Sequence, residues 1–247
     1  MSTEGRVATG VLVVLALLAG SCGDDATTPP AGVAGAGQGG GGGSGGTTNP
    51  GTCDPDPLKT GLVAQQTGVS VDAFDCAILR AVAKYGEPDA MIFKAIIYAE
   101  SRFDNLAAGC TNMPCGQPAG WTAAECGCLG LMQVVVACGG PMMSPALLPN
   151  GHPNMTTDKS SAAWAGSIFN PDVNVDIGIS ALADNRAQVV KSFPGCTVDQ
   201  YTLMAIGNYA SYGSTKGCTT YNTDYINLIL PTYKEYATAA GYAAHAY

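Results

Sequence analysis

Glu100 is the residue whose position most directly suggests chemistry, because this carboxylate ends an apolar stretch. The stretch from Met91 to Glu100 is MIFKAIIYAE, with apolar residues at helical spacing and neither Gly nor Pro inside it. It therefore predicts a mostly buried helix that ends at Glu100. Burial and the partial negative charge of a helix C-terminus both raise the pKa of a carboxylate, as a general acid near neutral pH requires. The structural alternative is a carboxylate that faces solvent or pairs with Arg102.

Five stretches of the chain, taken in order, form a set. They are AIIYAESRFDNLA around Glu100, GCLGLMQ over 127–133, FNPDVNVDIGISAL over 169–182, TLMAIGNYA over 202–210 and TDYINLILPTYKEY over 223–236. This set resembles the motifs of the lytic transglycosylases, lysozyme-like enzymes that cleave peptidoglycan and are related in fold to goose-type lysozyme. Each motif alone is weak, but five in the same order are hard to obtain by chance.

The resemblance implies a reaction in which one carboxylate acts twice. Glu100 would protonate the glycosidic oxygen between N-acetylmuramic acid and N-acetylglucosamine, and would then take the proton of the muramic C6 hydroxyl as it closes on C1. The product would carry a 1,6-anhydromuramic end. Ser101 would hydrogen-bond near Glu100 or to the substrate, or would only satisfy the helix-end backbone. Met132 and Gln133 would line the cleft and orient the sugar, with core packing as the alternative for Met132.

The Tyr-Asn-Ala-Gly segment of the family is altered in this chain. Aligned on Asn208, the family's Tyr becomes Gly207, its Ala becomes Tyr209 and its Gly becomes Ala210. The resemblance implies that Asn208 and a nearby tyrosine hold Glu100 in position, and we assign Tyr209 and Tyr225 to the substrate-binding site. The tyrosine that reaches Glu100 stays open among three candidates, Tyr209, Tyr212 and Tyr225.

Two other functions are compatible with the same residues. Most glycoside hydrolases use two carboxylates, so a muramidase that delivers water in the manner of goose-type lysozyme would need Asp104 or Asp184 close to the substrate. We interpret Asp104 as a turn residue before Asn105. The altered Tyr-Asn-Ala-Gly segment motivates a further hypothesis, a catalytically inactive lipoprotein that binds the wall.

The N-terminal residues predict export and anchoring. Residues 1–22 contain Arg6, an apolar stretch from Val7 to Ala19 and small residues before Cys22, which is typical of an export signal and too short for a stable membrane span. The end of this segment resembles the lipobox of bacterial lipoproteins, which implies lipidation of Cys22, with cleavage and release as the alternative. Residues 23–52 predict a flexible linker. We expect an exported protein of the cell envelope, anchored by its lipid to a membrane facing the periplasm.

Residues 53–247 are the size of one domain and are rich enough in apolar residues to bury a core. Helical periodicity runs over 70–100, 128–137, 172–192, 199–212 and 221–240, and no stretch shows sustained strand alternation. Together with the resemblance, this predicts a mainly α, lysozyme-like (SLT-type) single domain with disulfide-bonded loops. A long loop should follow residue 137.

Cysteine usage and charge limit the other classes of function. Of the ten cysteines, nine follow Cys22, which in an exported chain predicts four disulfides and one remaining thiol, with the pairing open. Cys126-x-Cys128 lacks a well-spaced partner, and His152 and His245 are the only histidines, so we predict neither a metal nor another cofactor. The formal net charge of −8 argues against nucleic-acid binding. Binding to anionic peptidoglycan strands must then come from the cleft.

Overall fold

The computed structural model describes residues 53, 56–109, 127–136, 159–161, 163–210 and 215–247. The predicted signal segment 1–22 with Cys22 and the predicted linker 23–52 lie outside the described residues. So do Tyr212, His152 and most of the loop predicted after residue 137.

Five α-helices form most of the described chain, which confirms the mainly helical prediction. They are α1 (Asp75–Tyr85), α2 (Ala90–Ser101), α3 (Pro171–Ser192), α4 (Val198–Ala210) and α5 (Thr223–Ala240). Three short strands, β1 (Ala108–Gly109), β2 (Gly127–Leu129) and β3 (Val134–Val136), form an antiparallel sheet in that order. In the part of the chain that the structure describes, no helix is long and apolar enough to cross a membrane.

The stretch 70–100, predicted as helical throughout, contains two helices because two residues interrupt it. Gly86 has a left-handed backbone (φ 67°) and ends α1 by donating its N–H to the Val82 carbonyl. Asp89 then begins α2, and its Oδ1 accepts the Met91 N–H at 2.9 Å. The Asp89 Oδ2 also accepts the hydroxyl of Tyr247 at 3.0 Å. Both oxygens of this buried carboxylate therefore fix the start of the helix that ends near Glu100.

The helix predicted over 128–137 is wrong, and so is the helix start that the resemblance implied at the Gly-Leu-Met-Gln run. These residues form β2, a turn and β3, with Leu129 paired to Val134. The backbone is left-handed at Gly130 (φ 73°) and at Gln133 (φ 47°). A right-handed helix therefore cannot continue through either end of the turn. Three consecutive β-branched valines, 134–136, favour a strand after it.

The buried residues form one apolar cluster that extends from Leu58 to Ala237 and draws on all five helices. Helix α3 packs against α1 and α4, and α2 packs against α5. Ala90 to Ile97 of α2 are all buried, so this helix lies at the centre of the core. The C-terminal end of α2, with Glu100, emerges from that core.

Lys94 is a charged residue inside this apolar helix, and its side chain is 0% exposed. Its Nζ donates to the Leu58 carbonyl at 2.7 Å, to Asp72 Oδ1 at 2.6 Å and to Asp75 Oδ2 at 2.9 Å. An unpaired buried ammonium would cost several kcal/mol, and these three acceptors offset that cost. They join the segment before α1, and the first residue of α1, to the middle of α2.

The two carboxylates that contact Lys94 differ in their surroundings. Burial opposes ionisation of Asp72, but hydrogen bonds from Lys94, Thr60 and Gly61 outweigh it and lower its pKa to about 2. Burial raises the pKa of Asp75 to about 7, although Lys94 opposes the shift. The Asp75 Oδ1 is buried without a hydrogen-bond partner. One ammonium therefore stabilises the ionised form of Asp72 more effectively than that of Asp75.

Two disulfides connect described residues, Cys53 to Cys76 and Cys196 to Cys218. The first links the N-terminal segment to α1, and the second links the turn before α4 to the loop before α5. Of the five remaining cysteines, Cys128 lies in β2, and Cys110, Cys115, Cys126 and Cys138 lie outside the described residues, so the other predicted bridges stay a prediction.

Asp75→Asn should make stability less dependent on pH. The carboxyl of Asp75 titrates near 3.8 in the unfolded chain and near 7 in the folded one. The folded protein therefore binds the extra proton, and its free energy of unfolding falls as pH rises from about 4 to about 7. We expect the stability of Asp75→Asn relative to the wild type to increase between pH 4.5 and 8, measured by urea denaturation. A difference that is constant with pH would contradict this account.

Candidate active site

Glu100 lies in the last turn of α2, as its sequence position predicted, and its side chain is partly buried. The helix ends one residue later, because Arg102 adopts a left-handed backbone and donates its N–H to the Tyr98 carbonyl at 3.1 Å. Phe103, also left-handed, is fully buried and turns the chain away from the helix axis. Non-glycine residues pay for this conformation with strain, which the buried ring of Phe103 helps to offset.

Tyr225 is the tyrosine that reaches the candidate acid. Its hydroxyl donates a hydrogen bond to Glu100 Oε1. Tyr225 lies in the first turn of α5, where Asn222 caps the helix and accepts the Tyr225 N–H at 3.2 Å. The packing of α5 on α2 therefore brings together residues that are 125 positions apart in the sequence.

Burial is the main influence on the ionisation of Glu100, and it raises the pKa to about 7. The hydrogen bond from Tyr225 and the positive charge of Arg102 act in the opposite direction. The Arg102 guanidinium lies 4.3 Å from the centre of the Tyr98 ring, and its Nη1 also donates to the Tyr98 carbonyl. At neutral pH a substantial fraction of Glu100 thus carries a proton that it can donate.

No second acid among the described residues contributes to the pKa of Glu100. Asp104, the first alternative, is exposed, and its Oδ1 accepts the Leu106 N–H at 2.9 Å. This is the turn role predicted for it. Asp184, the second alternative, is exposed on α3.

The turn between β2 and β3 is held by Asn174, which is fully buried on α3. Its Oδ1 accepts the Met132 N–H at 2.8 Å, and its Nδ2 donates to the carbonyls of Leu129 at 2.8 Å and Ile168 at 3.0 Å. A Cβ on Gly130 would lie 2.3 Å from Asn174 Nδ2. The absence of a side chain at Gly130 is therefore what admits these hydrogen bonds.

Met132 belongs to the core through its side chain and to the site through its backbone. The side chain is 0% exposed, and a Cβ on Gly178 would lie 2.4 Å from its Sδ. These contacts support the packing interpretation for the side chain. The Met132 carbonyl accepts the hydroxyl of Tyr209 at 2.5 Å. The neighbouring Gln133 is partly exposed, and its Nε2 donates to the Gly130 carbonyl at 2.8 Å.

Tyr209 is a second partly buried tyrosine whose ionisation is influenced by Glu100. Burial and the charge of Glu100 raise the pKa of Tyr209 well above its usual range, and the same two causes act on Tyr225. Both phenols therefore stay protonated across the physiological range. Tyr225 directs its proton to Glu100, and Tyr209 directs its proton to Met132.

Ser101 and Asn208 make contacts that differ from those the resemblance implied. Ser101 is buried, and its hydroxyl donates to the Ile97 carbonyl at 3.1 Å, which supports the helix-end alternative. The Asn208 Oδ1 accepts the Thr215 N–H at 3.3 Å. Asn208 thus holds the segment that follows α4.

The three hydrogen bonds of Asn174 were not foreseen from the sequence. Asn170 and Asn174 stand four residues apart, and of the two only Asn170 caps α3, accepting the Asp172 N–H at 3.0 Å. A second Asn inside a helix, at a position where its neighbours are apolar, is the signal that could have indicated a buried polar contact.

Tyr225→Phe should raise the pKa of Glu100 above about 7, because the lost hydrogen bond stabilises the carboxylate. We would follow the Glu100 carboxyl carbon by NMR as a function of pH, assigning its signal by comparison with Glu100→Gln. Tyr201→Phe is the matched control, since its hydroxyl contacts Phe193 and Cys196. An unchanged Glu100 pKa in Tyr225→Phe would refute the contact.

Gly130→Ala should lower the free energy of unfolding by about 2 to 4 kcal/mol, because the methyl group displaces a buried amide and breaks its hydrogen bonds. Gly68→Ala separates this effect from backbone strain. Gly68 has nearly the same backbone (φ 69°) but nothing within 4 Å of its Cβ position. Urea denaturation should show the larger loss for Gly130→Ala, and equal losses would exclude the steric explanation.

No protein-family model matches this sequence, and no curated protein matches it. The function proposed below therefore depends on the resemblance of its motifs and on the geometry around Glu100.

Proposed function

We propose that this protein is a peptidoglycan lytic transglycosylase with a lysozyme-like (SLT-type) fold. Glu100 is its general acid and base, and it cleaves the β-1,4 bond between N-acetylmuramic acid and N-acetylglucosamine. The observation that carries the proposal is the environment of Glu100. This carboxylate has a pKa of about 7, accepts a tyrosine hydroxyl, and has no second acid acting on it among the described residues.

The first step requires a protonated Glu100 with one free oxygen. Tyr225 donates to Oε1, which leaves Oε2 to carry the transferable proton. As the bond between muramic C1 and the glucosamine O4 breaks, that proton passes to O4, and positive charge develops at C1. The resulting carboxylate is stabilised by the Tyr225 hydrogen bond and by the charge of Arg102.

The second step uses the carboxylate that the first step leaves behind. The muramic C6 oxygen forms a bond to C1 and gives its proton to Glu100. This closes the 1,6-anhydro ring, consumes no water and returns the acid to its starting form. A group with a pKa of about 7 is suited to both transfers, because neither protonation state is strongly favoured at neutral pH.

The substrate is accordingly the glycan strand of peptidoglycan, and the setting is the cell envelope. The two disulfides support an oxidising compartment outside the cytoplasm. Export by residues 1–22 and lipidation of Cys22, facing the periplasm, complete the proposal. An anchor and a flexible linker would let the enzyme search nearby wall.

Mass spectrometry of the fragments released from purified peptidoglycan tests the proposal. The full chain should release muropeptides with anhydromuramic ends. Glu100→Gln, which cannot donate the proton, should lower the rate by at least about a hundredfold. The wild-type rate should fall above about pH 7, as Glu100 loses its proton.

Asp104→Asn is the matched control, because it changes a nearby carboxylate to its amide without touching Glu100. It should retain the activity of the wild type. Reducing muramic ends would instead identify a muramidase. Binding to the wall by both wild type and Glu100→Gln, with no release by either, would identify a binding protein.

A further inference from the structure

At Gly207, α4 lies close to the residues that begin α5. It is buried, and a Cβ at this position would lie 3.0 Å from the Asn222 nitrogen and 3.1 Å from the Tyr221 Cβ. Backbone atoms of a helix cap cannot move aside as a flexible side chain can. The tyrosine that the resembling family carries at this position would therefore not fit here.

Gly207 is connected to Glu100 through two residues of α5 and its cap, Asn222 and Tyr225. Asn222 begins α5, and its side chain accepts the Tyr225 N–H at 3.2 Å. Tyr225, three residues later, donates its hydroxyl to Glu100. Because the Asn222 side chain is hydrogen-bonded to the backbone of Tyr225, a displacement of Asn222 would also move the Tyr225 hydroxyl.

The described part of the α4–α5 connection, residues 215–222, is also held against α4. The Thr215 N–H donates to Asn208 Oδ1 at 3.3 Å, and its hydroxyl donates to the Met204 carbonyl at 3.1 Å. The disulfide from Cys196 to Cys218 holds the same connection at a second point. The position of α5 relative to α2 thus depends on how closely this connection lies on α4.

We propose that Gly207 and Asn208 are positioning residues that act on Glu100 through Tyr225. Gly207 admits the Tyr221–Asn222 backbone against α4, and Asn208 fixes the connection that precedes it. The altered Tyr-Asn-Ala-Gly segment is then an adaptation, in which the missing aromatic ring leaves room for the cap of the helix that carries Tyr225. The consequence for catalysis rests on the proposed function, whereas the consequence for the Glu100 hydrogen bond does not.

A double-mutant cycle of Gly207→Ala and Tyr225→Phe tests this inference. Gly207→Ala should raise the Glu100 pKa toward the value in Tyr225→Phe. It should also lower kcat on peptidoglycan by roughly tenfold with little change in KM, since small misplacements of catalytic groups are costly. In the Tyr225→Phe background, Gly207→Ala should have no further effect on either quantity.

Gly217→Ala is the matched control, because nothing lies within 4 Å of its Cβ position and its backbone is not left-handed. It should leave the Glu100 pKa and kcat unchanged. Should Gly207→Ala fail to fold, Asn208→Ala carries the same cycle by removing the acceptor for Thr215. Additive effects of the two changes, or a Glu100 pKa that Gly207→Ala does not move, would overturn the inference.

The two proposals fail in different ways. If the wild type releases nothing from peptidoglycan while Gly207→Ala still raises the Glu100 pKa, the enzyme proposal fails and the positioning inference stands. If the wild type makes anhydromuramic ends and Gly207→Ala leaves the pKa unchanged, only the positioning inference fails.

Discussion

The hydrogen bond between Tyr225 and a partly buried Glu100 is the interaction on which the rest of the site depends. Burial alone would raise the pKa of the carboxyl still further and make it a weaker acid. The tyrosine and Arg102 offset that effect and hold the pKa near 7. The donor–acceptor distance of a hydrogen bond can vary by only a few tenths of an ångström. The positions of α2 and α5 relative to each other must therefore be fixed to that accuracy.

Each of these two helices is fixed by specific contacts that an apolar core alone would not supply. Asp89 and the buried Lys94 fix α2 at its start and in its middle. On the other side, Gly207 and the disulfide-linked connection fix the start of α5. A buried ion pair such as that of Lys94 with Asp75 adds little net stability, but removing one partner is strongly destabilising. Such pairs therefore favour a single arrangement of the helices.

The position of Glu100 could be predicted because the periodicity of MIFKAIIYAE is a local property, and so could the other long helices. The partner of Glu100 could not be chosen among three tyrosines, because contacts between residues 125 positions apart leave no trace in spacing. The β2–β3 turn was predicted as helix because GLMQVVV is almost entirely apolar, so its pattern does not distinguish helical spacing from strand spacing. Its true form depends on the left-handed Gly130 and on hydrogen bonds from Asn174, a residue on another element.

The central claim is that one carboxylate cleaves the glycan without adding water, and solvent isotope labelling tests it most directly. The full-length protein would be incubated with peptidoglycan in water enriched in oxygen-18. The released fragments would then be reduced promptly with borohydride, which prevents oxygen exchange at free reducing ends. The account predicts that the new muramic ends contain no oxygen-18 and resist reduction. Incorporation of one labelled oxygen at each new end would show hydrolysis and contradict it.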